Sequence, residues 1–118
     1  MNIEALREYC LSKKGTTESF PFDEHTLVFK VMNKMFALLS LERSPPQINL
    51  KCDPEKAIAL REEYDGIIVP GYHMSKTHWN TIYIEQLPPE RLFELVDHSY
   101  GLVVAKLTKK LKEELSNI

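Results

Sequence analysis

Two short apolar runs, Leu27-Val28-Phe29-Lys30-Val31 and Lys34-Met35-Phe36-Ala37-Leu38-Leu39, meet across Met32-Asn33. Runs this rich in β-branched and aromatic residues read as strands, and a two-residue connection makes them a tight hairpin. Asn tolerates the positive φ that such a turn needs. The turn sets Val31 opposite Lys34 and Phe29 opposite Phe36. Leu27, Phe29, Phe36 and Leu38 are then expected on one face, with Lys30 on the other.

More strands follow. Ile48, Leu50 and Cys52 alternate with Asn49 and Lys51, the pattern of a strand with one covered face. Ile67-Ile68-Val69 reads as a short strand closed by Pro70-Gly71. In Thr81-Ile82-Tyr83-Ile84-Glu85, Ile82 and Ile84 turn inward, while Trp79, Thr81 and Tyr83 face the opposite way. Helices frame the strands. Asn2 caps a first helix carrying Ile3, Leu6 and Cys10, ended by Lys14-Gly15. Asp53-Pro54-Glu55 starts a second that runs to about Glu63. Pro88-Pro89-Glu90 opens a third with Leu92, Leu95 and Val96. A further run from about Ser99 spaces Val103, Leu107, Leu111 and Leu115 four apart. The layout is α+β: a small antiparallel sheet with helices packed on one face and the other left more open.

A chain of 118 residues, 43% hydrophobic and 27% charged, fits a single domain over residues 1–118 with its own core. The formal net charge of −2 excludes a polycation, so any attraction to nucleic acid must come from a local basic patch. Charged Glu4, Arg7 and Glu8 follow the first methionine, unlike a signal peptide. No stretch approaches the roughly 20 apolar residues of a membrane span. Cys10 and Cys52 lie far apart with no CxxC spacing, so both are expected as small buried residues of a reduced, cytoplasmic protein.

The chemistry concentrates in Pro70-Gly71-Tyr72-His73-Met74-Ser75-Lys76-Thr77-His78-Trp79, which holds two histidines, a lysine, a tyrosine and the only tryptophan. Donors, a cation and flat rings at close spacing suit an anionic or planar partner. Between Thr26 and Cys52 the cations Lys30, Lys34, Arg43 and Lys51 outnumber the acid Glu42. Together with the rings, these cations make a nucleic-acid surface physically reasonable, with phosphates on lysines and bases on rings. The plainer reading is that lysines solvate an exposed sheet face and guard it against edge pairing. His73 and His78 as metal ligands would need recruits such as Cys52, His25 or Asp65, and their spacing matches no structural zinc pattern. Ser75 beside Lys76, with His73 or His78 as base, is the only catalytic arrangement, and no nucleophile elbow or phosphate-cradling glycine motif accompanies it. No cofactor is expected. Lys106, Lys109, Lys110 and Lys112 of the last helical run read as a solvated face, with a share in a phosphate-binding patch as the alternative.

The chain resembles the MmcQ/YjbR family of small bacterial proteins. The resemblance rests on Val28-Phe29-Lys30-Val31, Lys34-Met35-Phe36-Ala37-Leu38, Asn49-Leu50-Lys51-Cys52-Asp53-Pro54-Glu55, Pro70-Gly71-Tyr72-His73-Met74, Lys76, His78-Trp79, Ser99-Tyr100 and Leu102-Val103. It implies a CyaY-like (frataxin-like) fold and DNA binding, with hairpins acting as wings. Carried over, the contacts are Lys30, Lys34, Lys51, His73, Lys76, His78 and Trp79, and the loop composition adds Tyr72. Met32-Asn33 departs from the glycines common at the first hairpin turn of the family. An iron role is not carried over, because Glu4 and Glu8 alternate with Arg7 and Lys13. The expectation is a monomer or weak dimer that binds DNA weakly through phosphates. The alternative is a non-enzymatic module binding a small anion or a protein through the His73–Trp79 loop.

Overall fold

Met32 and Asn33 both adopt positive φ, 49° and 65°, so the expected hairpin closes through a turn whose twist matches its strands. The computed structural model describes residues 1–118. The order is α1 (Ile3–Leu11), β1 (Thr16–Ser19), β2 (Thr26–Val31), β3 (Lys34–Ser40), β4 (Gln47–Lys51), α2 (Pro54–Glu63), β5 (Ile68–Pro70), β6 (Trp79–Tyr83), α3 (Pro89–Ala105) and α4 (Lys109–Ser116), with one 3₁₀ turn at Ile84–Gln86. The strands form one antiparallel sheet in the order β1-β2-β3-β4-β6-β5. The protein is thus α+β. Helix α1 packs on β1 and β3, α3 on β2, β3 and β4, and α2 beside β5. The main core, including Leu6, Phe29, Phe36, Ile48, Ile82, Leu92 and Val96, lies between sheet and helices. No helix is long and apolar enough to cross a membrane.

The helix starts follow their capping residues. Asn2 Oδ1 accepts from Ala5 N at 2.7 Å, and Asp53 Oδ2 accepts from Lys56 N at 3.2 Å with Pro54 at the first helical position. Gly15 takes φ +72°, but beyond the end of α1, where it leads into β1. That strand, Thr16-Thr17-Glu18-Ser19, escapes the sequence reading because it has no apolar face to alternate. It holds its edge position by pairing with β2 and by the Arg7–Glu18 ion pair from α1. The third helix is one element of 17 residues rather than two. The break comes later, at Thr108, whose Oγ1 accepts from Leu111 N at 3.2 Å and caps α4.

The register of the central hairpin differs from simple alternation. Val31 faces Lys34 as expected, but Phe29 faces Ala37, because Phe36 is an extra residue bulged out of β3. A bulge reverses which side chains point inward beyond it. Phe36, Ala37 and Leu39 therefore enter the main core, while Leu38 moves to the opposite face with Val28. Ser99 from α3 completes the bulge. Its hydroxyl donates to Phe36 O at 2.5 Å and accepts from Lys51 N at 2.9 Å. Ser99 is fully buried, so no water replaces those bonds.

Two predictions follow from these contacts. Ser99→Ala leaves a carbonyl and an amide unpaired in the interior, and should lower urea-measured stability by about 1–3 kcal/mol. An unshifted midpoint would show that the bulge does not need the hydroxyl. His98 Nε2 accepts from Asp53 N at 3.2 Å, which requires neutral imidazole, and burial followed by the charge of Lys56 lowers its pKa. The unfolded chain thus takes up the proton first. Stability should fall as pH drops below the ordinary histidine value of about 6.5 and level off below the depressed folded pKa. His98→Gln should flatten that slope in denaturation curves recorded across this pH range.

Candidate functional site

The face of the sheet away from the core helices is covered by no helix. Cross-strand pairing places Thr26 beside Ser40, Val28 beside Leu38, Leu38 beside Asn49, Ser40 beside Gln47, Asn49 beside Thr81, and Lys51 beside Trp79. Trp79, Thr81 and Tyr83 lie on this face as their spacing predicts. Yet the indole is only 7% exposed. Val28 and Leu38 pack against it, and Met35 and Met74 cover the cluster. Trp79 therefore serves as the floor of the face and is not a free ring on which a base can stack.

The loop from Gly71 to His78 is tied down from both sides. On the open face, Tyr72 N donates to Thr81 Oγ1 at 3.0 Å, Thr81 Oγ1 donates to Asn49 Oδ1 at 2.5 Å, and Asn49 Nδ2 donates to Tyr72 O at 3.3 Å. From the other side, Arg61 of α2 donates to Asn80 Oδ1 at 2.7 Å, to Trp79 O at 3.4 Å and to Lys76 O. Cys52 N donates to His78 O at 2.8 Å. Gly71 makes the close return: its N–H donates to Trp79 O at 2.9 Å, and a Cβ here would sit 2.8 Å from Trp79 Cβ.

This scaffold separates the sequence-predicted residues into groups. Lys34, Lys51 and Trp79 line a concavity of about 380 Å³, which Lys106, just past the end of α3, completes beside Met35, Val103 and Leu107. Burial, and then the charge of Lys106, lowers the pKa of Lys51. Tyr72 and His73 belong to a different cleft of about 350 Å³, with Phe22, Arg43, Gln47 and Asn49 among its other walls. Lys76 and His78 are exposed on the loop and Lys30 is half-buried on β2, and none of these three lines either hollow. Lys106 is one of the lysines that the sequence reads as a solvated helix face, and its spacing gives no sign that it meets Lys51. Phe22 and Gln47 escape the sequence reading, and Arg43 enters it only as one of the local cations, because the three come from separate loops and a strand start that only the sheet brings together.

Other chemistries find little purchase. No three His, Cys, Asp or Glu side chains converge on a point that would hold a metal ion. Cys10 is fully buried and its thiol is pushed up to about 12 by that burial; Cys52 is buried and shifted the same way. Thiols held protonated are poor nucleophiles. Ser75 contributes its carbonyl, which accepts from Trp79 N at 3.0 Å.

The chain is similar in sequence and fold to known proteins. The YjbR family model matches residues 11–102. The chain belongs to the YjbR family. It is 33% identical over 116 residues to the uncharacterized protein YjbR of Escherichia coli K12, covering 98% of each chain. It is 41% identical over 92 residues to the uncharacterized protein YbdF of E. coli O157:H7, covering 77% of this chain and 75% of that one. The crystal structure of Deinococcus radiodurans protein DR2400 superposes with a TM-score of 0.90 at 40% identity, over 98% of this chain and 88% of that one. None of these names states an activity, so the functional argument rests on the geometry of this chain.

The anchored loop gives a direct test. Gly71→Ala must push Trp79 away, and should cost about 1–3 kcal/mol, the usual penalty of overpacking. Because Trp79 is the only indole, its emission should shift to the red as Met74 and Met35 lose their grip on it. Unchanged emission together with unchanged stability would show that the loop closes without this contact.

Proposed function

We propose that this YjbR-family protein binds nucleic acid weakly, with phosphates held by Lys34, Lys51 and Lys106 at the margin where the open face of the sheet meets the C-terminal end of α3. The observation that carries this is the gathering of three ammonium groups around one hollow with no carboxylate among them. The ion pairs of the protein are Arg7–Glu18, Lys13–Asp97, His25–Glu42 and Arg91–Glu94, and they take none of these lysines. Burial first, and then repulsion from Lys106, lowers the pKa of Lys51, so its charge is held at some cost. An oxyanion seated between them relieves the repulsion. Lysines that merely solvate a surface have no reason to share a hollow.

The covered indole alters how bases would be met. Half-exposed Tyr72 and exposed Phe22, at 51% and 64%, are the rings available for stacking, so single strands suit this surface better than duplex. The net charge of −2 keeps binding local and weak.

A fluorescence-anisotropy titration of labelled single strands and duplexes across a salt series tests this. Three phosphate contacts at about 0.7 counterions each give a log–log salt slope near −2 for single strands. Lys51→Gln with Lys106→Gln should flatten that slope to about −0.7. No binding at about 50 mM salt, or binding unchanged in the double variant, removes the proposal. The small-anion reading draws on the same ammonium groups. It predicts saturation by inorganic phosphate and no gain in affinity with strand length.

A further inference from the structure

At the other end of the open face lies the cleft of about 350 Å³ bounded by Phe22, Arg43, Gln47, Tyr72 and His73. It shares no residue with the lysine hollow, and the inference drawn from it does not rest on that hollow. We propose that this cleft is a binding site for one nucleobase-sized planar heterocycle, read at its edge by the Gln47 side-chain amide and stacked against Tyr72.

Three features support the assignment. The first is Gln47. It is 8% exposed, on β4 between Ser40 and Tyr83, and its side chain takes no part in the hydrogen bonds that tie down its neighbours Asn49 and Thr81. Thr16 Oγ1 is the one enclosed side-chain polar atom without a partner, so the Gln47 amide opens to the solvent of the cleft. Lining the cleft, it offers a donor and an acceptor side by side, the complement of the amide-like edge of a purine or pyrimidine. The second is the wall. The Tyr72 ring is half exposed although its own backbone is fixed by Thr81 and Asn49, and His73, at φ +59°, packs its ring 4.0 Å from it. Positive φ on a residue other than glycine is unfavourable and persists where surrounding structure imposes it. The guanidinium of Arg43 lies 4.5 Å from the Tyr72 ring centroid, and no carboxylate pairs with Arg43. A planar cation over an aromatic ring marks the space that a flat ligand would take or share.

The third feature is size and polarity. The volume is at the small end for ligand pockets, enough for one ring system and too little for a large cofactor. Leu38 and Met74 supply an apolar floor, as stacking sites require. The one acid in the lining, Asp23, is already engaged: its Oδ1 accepts from His25 N at 2.8 Å and Thr26 N at 2.7 Å, and those amides lower its pKa. It remains ionised and favours a heterocycle whose own charge lies toward Arg43. The same ring chemistry is presented by a free mononucleotide and by one unstacked nucleotide of a strand.

Nitrogen-15 chemical-shift mapping of the full chain decides. The titrants are the 5′-mononucleotides, ribose 5-phosphate as a base-free control, and a short single strand. The expected result is a saturable shift of the Gln47 side-chain amide and of the Tyr72 and His73 backbone with a base-bearing ligand, absent with ribose 5-phosphate. Saturation by a mononucleotide identifies the free ligand as the occupant, and the same Gln47 response to the strand alone identifies a strand nucleotide. Gln47→Met keeps the length and burial of the side chain but not its amide, and should weaken binding by about tenfold. Lys51→Gln with Lys106→Gln should leave the Gln47 response to mononucleotides intact, which separates this site from the lysine hollow. Well-dispersed spectra with no shift at Gln47 for any base-bearing ligand at about 10 mM overturn the proposal, as does undiminished binding by Gln47→Met.

Discussion

The open face of this sheet owes its character to one extra residue in β3. With Phe36 bulged, Leu38 leaves the main core and joins Val28 and Trp79 on the other side. Without the bulge, the alternation that starts at Lys34 would turn Leu38 under the helices and Leu39 outward, and the indole would lose its central neighbour. A bulge also leaves backbone groups without a ladder partner. Ser99 answers for two of them at once, bridging Phe36 O and Lys51 N from α3. One hydroxyl thus couples the helix layer to the strand that carries Lys51, and through its pairing partner to Trp79.

The same coupling explains why the functional surface is rigid. The loop after β5 has few apolar residues of its own, and an unsupported loop of that composition would sample many conformations. Here Arg61 holds the Trp79 and Lys76 carbonyls from the helix side, and the Asn49–Thr81 pair holds the Tyr72 backbone from the open side. A surface fixed before its ligand arrives does not spend binding energy on ordering itself. Weak contacts then suffice for measurable affinity, which matters in a protein whose net charge offers no long-range attraction.

Much of this was legible in the residues. Period-two patterning placed β2, β3, β4 and β6, the Met32-Asn33 turn and the inward set Ile82 and Ile84. The caps Asn2 and Asp53 placed two helices. Periodicity failed where the sheet breaks its own period: nothing in Met35-Phe36-Ala37-Leu38 announces that Phe36 is the extra residue, because all four are apolar and either register buries two of them. It failed again at β1, which is held by pairing and one ion pair with no apolar stripe. The site was half visible. The concentration of rings and cations near residues 70–79 is a sequence fact, but the alternation that put Trp79 on the open face could not show that Met35 and Met74 close over it. Nor could spacing show that Lys106 joins Lys51 from more than fifty residues away.

Those two omissions point the same way. Removing the indole from the list of free rings and adding Lys106 to the cations turns a diffuse basic-aromatic face into two compact hollows of different chemistry. One is defined by positive charge without counter-charge, the other by an unpaired amide between aromatic walls. Charge alone recognises any phosphate and scales with salt, whereas an amide edge in a buried setting discriminates among bases, because the wrong partner leaves it unsatisfied. A face that carries both separates holding a ligand from identifying it. Any sequence preference this protein shows should therefore follow Gln47 and survive neutralisation of the lysines, while the strength of its attachment to a strand should follow the lysines and survive the loss of Gln47.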